Sequence, residues 1–312
     1  MQRYHEKSYE VMKIFNDFSP DVQQMSVDEA FVDLTGTERL FGPIVSTAKK
    51  IKERVFNETG LTVSVGIGTN KYIAKIASGL SKPDGLFLVP EGTEEAFIST
   101  LPLTKIWGIG KKTLEKLNKL GFYSVNDIKK NPLNILESYF GKSGAMFLYK
   151  AVRGLNAETF SSTTSSKSIS AENTYENDLI DRYIIETSIL SLTETVMFRL
   201  LKENWKSKTV FLKIRYDDFS TISVQSTSSK YITSVDDLFD RVCNLFYKKY
   251  NGGRIRLLGV GAMNLESADK AVQIELFNTI DDKKQKVEDA LISIKTKHPN
   301  IKITKARLLN KE

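Results

Sequence analysis

The chain has 312 residues with 45 Lys+Arg against 38 Asp+Glu, a net charge of +7, and 41% hydrophobic residues, enough for about two domains of roughly 150 residues with proper cores. No stretch approaches the ~20 apolar residues of a membrane span, and the N-terminus MQRYHEKSYE lacks a signal-peptide core, so a cytoplasmic protein without a membrane partner is expected. The single cysteine, Cys243, excludes an internal disulfide, and with only His5 and His298 the chain cannot build Cys/His zinc clusters or most Ser-His-Asp triads, which leaves carboxylates, and hence Mg²⁺ rather than Zn²⁺, for any metal chemistry.

Tyr4, Val11, Met12, Phe15 and Phe18 recur at helical spacing and predict an amphipathic helix over 4–18. A strand over 22–34 is expected around SVDEAFVDL, ending at Thr35-Gly36, and a helix over about 43–58 follows, with Ile44, Ala48, Ile51 and Val55 on one face. LTVSVGIG alternates as a strand. Asn70 is placed to cap a helix through Ile73, Ile76, Ala77 and Leu80. Ser81-Lys82-Pro83-Asp84-Gly85 breaks that helix before a short strand over Leu86–Val89. The order αβαβαβ lacks one strand in front to complete a split β-α-β sheet of the ferredoxin-like kind.

From residue 102 the pattern changes to short helices. Residues 102–157 carry 10 basic and 3 acidic side chains, while 1–101 carry 11 and 14, so one short segment holds an excess equal to that of the whole chain. Such an excess marks either a phosphate-binding surface or a solvated helical face. The Ser/Thr-rich run at 161–168 reads as a linker. Beyond it, helices over about 182–202 and 234–250 alternate with strands over 209–216, 220–226 and 256–264, a second small α+β domain. The tail contains AVQIELF at 271–277 and then a charged, helix-like stretch.

Asp28 and Glu29 are the first candidate site. Adjacent strand residues point to opposite faces, so both reach one metal only if the backbone bends there. Two carboxylates in an apolar strand are costly without a cation, and Mg²⁺ takes such ligands together with substrate phosphates and water. The other reading is that one faces solvent and the other caps a turn. Trp107-Gly108-Ile109-Gly110-Lys111 looks like the hairpin of a helix-hairpin-helix, where glycines admit a DNA phosphate and N–H groups at the next helix start point at it. The spacing of a Walker A loop is absent.

SVDEAFVDLTG followed by VSVGIGTNKYIAKIASGLSKPDGL closely resembles the palm of Y-family translesion DNA polymerases, and within them the bacterial DNA polymerase IV group. LPLTKIWGIGKKTLEKLNKLG, KSISAENTY, GGRIRLLGV and QIELF continue the resemblance in order. It implies an α+β multidomain fold: a partial ferredoxin-like palm over 1–101, a helical thumb with the helix-hairpin-helix over 102–157, a linker over 158–168, an α+β little finger over 169–266, and a tail over 267–312. In the family the residues matching Asp28 and Glu29 bind two catalytic Mg²⁺ ions, and the one matching Lys82 contacts the triphosphate of the incoming deoxynucleotide. Gly108, Ile109, Gly110 and Lys111, with Lys167, Ser168, Arg254 and Arg256 of the little finger, match positions that contact primer–template DNA. Gln273, Ile274, Leu276 and Phe277 match the short peptide by which bacterial replication proteins hold the sliding clamp. A monomeric, error-prone polymerase is the implied enzyme.

The resemblance also implies a palm strand with a further metal-binding Asp, and a fingers domain, ahead of the residue matched by Met1. The expectation is therefore an N-terminally truncated member with weak or no activity on its own. A non-catalytic remnant that binds DNA and the clamp is the alternative, and a palm-like nucleotide cyclase explains the basic hairpin and clamp peptide poorly.

Overall fold

The computed structural model describes residues 2–155, 166–269, 282–298 and 303–309. The chain divides into two compact units, Met1–Thr164 and Ser165–Glu312, and the dividing point falls inside the Ser/Thr-rich linker. No helix among the described residues is long and apolar enough to cross a membrane.

In the first unit, Tyr4 of α1 (Gln2–Phe18) is exposed, while the helix buries Val11 and Phe18 of the expected face and also Ile14, which was not singled out. They meet Ile51 and Val55 of α3 (Ile44–Thr59) in a small core. Between them lies a departure from expectation. The strand predicted over 22–34 is a hairpin of β1 (Val22–Gln24) and β2 (Ala30–Val32), antiparallel, with Val22 opposite Val32 and Gln24 opposite Ala30. Asp28 and Glu29 thus sit in the turn and not inside a strand. The turn closes where the N–H groups of Met25 and Ser26 both donate to the Glu29 carbonyl, at 2.9 and 3.2 Å. A short α2 (Glu38–Phe41) precedes α3; four residues are too few to leave a periodic signal.

β3 (Val65–Ile67), α4 (Lys71–Leu80) and β4 (Leu86–Leu88) form a parallel β-α-β unit. The Asn70 side chain caps α4 as expected, accepting from the Ile73 N–H at 2.9 Å. Its amide also donates to the Gly154 carbonyl at 2.9 Å, which ties the start of α4 to the end of the helical segment. The expected open sheet takes the form of two separate two-stranded ladders, β1–β2 and β3–β4.

Four further helices complete the unit in outline: α5 (Glu94–Ser99), α6 (Lys111–Lys119), α7 (Val125–Lys129) and α8 (Leu133–Ala151), the last broken at Gly141 (φ 69°, ψ 167°) into two segments. Ser124 and Asp127 form a capping box that starts α7. Leu117, Val125, Ile128, Leu136 and Leu148 share one core with Tyr72, Ile73, Ile76, Val89 and Ile98. α4 therefore serves both halves of the unit.

The second unit follows the order β5 (Ser168–Leu179), α9 (Arg182–Lys202), β6 (Trp205–Lys206), β7 (Thr209–Tyr216), β8 (Thr221–Thr227), α10 (Val235–Lys249), β9 (Ile255–Met263) and β10 (Glu266–Ser267). The main sheet runs β5-β9-β7-β8 and is antiparallel throughout. β5 escaped the expected strands because the alternation of Ile169, Ala171, Tyr175 and Leu179 is interrupted by Asn173 and Asn177, and as an edge strand it fully buries only Ile169. α9 and α10 cover the face that carries Val210, Leu212, Ile214, Leu258 and Val260. The opposite face is largely polar. Its centre is floored by Gly259 and Gly261, over which a Lys213–Glu172 ion pair (2.8 Å) and the Phe211 ring lie.

α11 (Asp282–Lys297) and a 3-10 turn at Ala306–Leu308 return to this unit. Leu308 joins the core, Arg307 pairs with Glu186 at 3.2 Å, and the buried Glu288 carboxylate accepts from the Val235 N–H at the start of α10 at 3.0 Å. Cys243 is buried in the same core, and burial pushes its thiol up to about 12. Native protein at pH 8 is expected to resist thiol reagents over minutes and to react stoichiometrically once unfolded, as a chromogenic disulfide reagent would read. Rapid labelling of the native chain would contradict the buried placement.

Candidate active site and nucleic-acid interface

The β1–β2 turn and α4 build the site together. Asp28 is exposed and accepts from the Ser26 hydroxyl at 2.5 Å. That hydrogen bond, aided by the positive charges of Lys82 and Lys75, holds its carboxyl below the usual carboxylate range. Glu29 forms an ion pair with Lys75 of α4. One turn earlier on the same helix face, the Lys71 ammonium is buried and donates to the Gln23 side chain at 2.7 Å. Residues four apart share a helix face, so one face of α4 faces the hairpin with two ammonium groups. This is an ordered arrangement of two carboxylates held against cations. Among the described residues, no cluster of three or more His, Cys, Asp or Glu side chains forms a metal site.

Lys82 lies in an exposed turn, close enough to Asp28 for its charge to act there. The turn is held by Lys52, whose ammonium donates to the Val63 and Asp84 carbonyls at 2.5 and 2.9 Å and pairs with the Asp84 carboxylate. The structure thus brings Asp28, Glu29 and Lys82 into one neighbourhood. Sequence reasoning missed Ser26, Lys52, Lys71 and Lys75. The spacing of Lys71 and Lys75 was readable as one helix face, but their partners lie 48 and 46 positions away in sequence and no local pattern reveals such pairing.

At the second candidate, Gly108 has φ +91°, and a Cβ there would lie 2.3 Å from the Phe147 ring. Only glycine fits both constraints. Ile109 is buried in the core, so it offers the surface only its backbone. Gly110 precedes α6 in extended conformation with no side-chain cap, which leaves N–H groups of the first helical turn open to an anion. Lys111 and Lys112 are exposed and enter no ion pair among the described residues. Lys116 is differently used: its ammonium donates to the Tyr139 carbonyl and lies 4.8 Å from the Phe140 ring centroid.

In the second unit, Lys167 and Ser168 are exposed at the start of β5, where Ser168 lies opposite Met263 at the end of β9. Arg254 and Arg256 lie at the other end of β9. The eight residue steps from Ile255 to Met263 span about 26 Å at ~3.3 Å per step, so these four residues mark two ends of the sheet and not one cluster. The clamp-peptide positions Gln273, Ile274, Leu276 and Phe277 lie outside the described residues.

Comparison with known proteins gives this geometry a family. Residues 1–79 match the impB/mucB/samB family, 91–122 the helix-hairpin-helix motif of the same family, and 166–276 its C-terminal domain. DNA polymerase IV of Treponema denticola is 47% identical over 314 aligned residues, covering 100% of this chain and 79% of that protein. The chain is a Y-family DNA polymerase. DNA polymerase IV of Desulfatibacillum aliphaticivorans is 34% identical over 94% of this chain and 74% of its own length. Among solved structures, the Y-family polymerase chimera Dbh-Dpo4(243-245)-Dbh superimposes with a TM-score of 0.73 at 25% identity, covering 85% of this chain and 76% of that one. An insertion ternary complex of Dbh DNA polymerase matches with a TM-score of 0.55, also at 25% identity and the same coverage. This Y-family polymerase is accordingly a DNA-directed DNA polymerase, a nucleotidyltransferase of the translesion and DNA-repair class.

Proposed function

We propose that this polymerase adds deoxynucleotides to a primer 3′ end opposite a template, with Asp28 and Glu29 as metal ligands, and that it does so cytoplasmically as a monomer. The observation that carries the site assignment is the β1–β2 turn, which sets both carboxylates side by side with Asp28 kept ionised by the Ser26 hydroxyl. Oxygen ligands on an open turn suit Mg²⁺, whose remaining positions are normally taken by water and substrate phosphates. Two such ions supply activation of the attacking hydroxyl and neutralisation of the leaving pyrophosphate. Around them the chain's own groups orient and balance charge. Lys82 meets the triphosphate as a mobile cation. Lys75 steadies Glu29.

The backbone N–H groups after Gly110, with Lys111, fit a DNA phosphate in the first unit. Lys167 and Ser168 at one end of the second sheet, and Arg254 and Arg256 at the other, fit a strand that crosses its open face. Binding of this kind weakens with salt in proportion to the phosphates neutralised.

With two carboxylates and no cluster of three among the described residues, the isolated 312-residue polypeptide is expected to bind primer–template DNA but to extend it weakly. Each missing ligand removes preorganised charge from the transition state. Primer extension on an undamaged template measures this. Robust multi-nucleotide extension by that polypeptide alone would overturn the weak-activity reading, and salt-independent or absent DNA binding would overturn the interface.

QIELF at 273–277 fits an apolar pocket on a sliding clamp, with Leu276 and Phe277 as anchors and Gln273 at the rim. Replacing both Leu276 and Phe277 by Ala is expected to weaken clamp affinity by at least about tenfold, since two buried anchors each contribute over ~1 kcal/mol. Unchanged affinity by surface plasmon resonance would remove the clamp from the partner list.

A further inference from the structure

Phe219 stands in the four-residue loop, 217–220, that joins β7 to β8. The loop is closed by the Tyr216 N–H donating to the Ser220 carbonyl at 2.9 Å and the Phe219 N–H donating to the Tyr216 carbonyl at 3.1 Å. Phe219 takes the left-handed position of that loop, φ +64°, which glycine or asparagine normally occupies. A bulky aromatic there is strained, and its side chain gains no burial in exchange: the residue is 64% exposed.

A second irregularity converges on the same point. Ile255 and Leu257 of β9 pair with both neighbouring strands, opposite Tyr216 and Arg215 on β7, while Arg256 between them has no partner on either side. That is a β-bulge, a device that re-aims a side chain out of the regular alternation. It sets the Arg256 guanidinium 4.9 Å from the centroid of the Phe219 ring. The Asp217 N–H donates to the Arg254 carbonyl at 3.2 Å, so the loop is pinned to the start of β9. The nearby carboxylates serve the turn itself: Asp217 accepts from the Asp218 N–H at 3.0 Å and Asp218 from the Ser220 N–H at 2.8 Å.

A strained aromatic, exposed and held under a guanidinium, suits a ligand with a flat face next to a negative charge. Strained backbone retained without a packing gain points to function. We infer that Phe219 and Arg256 form a stacking site for an unpaired nucleobase of the template strand, with the guanidinium engaging an adjacent phosphate. The site rests on the reading that the second unit binds DNA. An unpaired base is required because a base inside a duplex has both faces covered by its neighbours. The contact would be indifferent to base identity, since every base has such a face.

Anisotropy titrations of the full chain with two DNAs, a primer–template with a single-stranded template overhang and a blunt duplex of equal length, test this. Phe219→Ala is expected to weaken binding of the overhang DNA by about 5- to 100-fold, to leave the duplex affinity unchanged, and to keep the slope of log K against log salt. Arg256→Ala should weaken the overhang DNA and shrink that slope by about one phosphate equivalent. Phe219→Gly controls for folding: it should lose affinity as the alanine variant does while melting no lower than wild type, because glycine relieves the strained position. Wild-type affinity of Phe219→Ala for the overhang DNA, or an equal loss on both DNAs, overturns the stacking site alone. Failure of the wild-type chain to bind either DNA would overturn the underlying interface with it.

Discussion

Gly66→Ala is expected to lower the melting temperature of the first unit by roughly 5–15 °C and to weaken divalent-metal binding at the proposed hairpin site. A Cβ at position 66 would lie 2.1 Å from the Ala74 carbonyl oxygen and 2.2 Å from the Ser78 nitrogen. Both are backbone atoms of α4, so no rotamer change relieves the overlap. The helix must lift from β3. Overpacking of a fixed backbone contact costs about 1–3 kcal/mol and more when nothing yields, and each kcal/mol is worth about 2–4 °C in a unit of this size. The functional part of the loss follows from what α4 carries: Lys75 and Lys71, the groups that hold the carboxylate hairpin. Circular dichroism melts and Mn²⁺ titration by electron paramagnetic resonance read the two parts separately. A melting point within 2 °C of wild type would mean that β3 and α4 are not packed as described.

Joint replacement Asp28→Asn and Glu29→Gln should have the opposite profile: Mn²⁺ affinity at this site reduced by about 100-fold or more, with little change in stability. Both side chains lie on an open turn, and the Lys75–Glu29 pair is partly solvated, where such pairs contribute about 0–1 kcal/mol. Even displacing an outer-sphere partner of a ligand costs 10–100-fold in metal affinity, so removing both ligand charges should cost more. Primer–template binding should hold or tighten slightly, because two negative charges leave a surface that approaches phosphate. Retention of wild-type Mn²⁺ affinity would relocate the metal site. A collapse of DNA binding would instead show that the hairpin carboxylates have a structural role.

How far these residues could be read without coordinates depends on what kind of information each feature uses. The helices α1, α3, α4, α9 and α10 were legible because their apolar faces repeat along a short stretch, and the Asn70 cap because its signal is local. Asp28 and Glu29 were legible as residues but not as geometry: a continuous strand was expected where a hairpin occurs. SVDEAFVDL has no glycine or Asn-Gly to announce the turn, and its closure depends on paired donation to one carbonyl. β5 failed because Asn173 and Asn177 interrupt the alternation of Ile169, Ala171, Tyr175 and Leu179 on a mostly polar edge. Lys75, Lys71 and Lys52 were silent because each acts through a partner brought near only by folding. Arg256 was singled out by resemblance, yet its bulge and the aromatic beneath it depend on register, which composition does not carry.

The return of the C-terminal segment has a practical consequence for anyone who shortens the protein. With Leu308 in the second core, Arg307 on Glu186 and Glu288 at the head of α10, the described segments 282–298 and 303–309 behave as an internal wall of that unit. Cutting the chain after position 281 would not yield a clean second unit. It would uncover the apolar core around Leu308 and leave the Val235 N–H at the head of α10 without its acceptor, so a trimmed protein that precipitates would report a wound in the fold, not the loss of a tail.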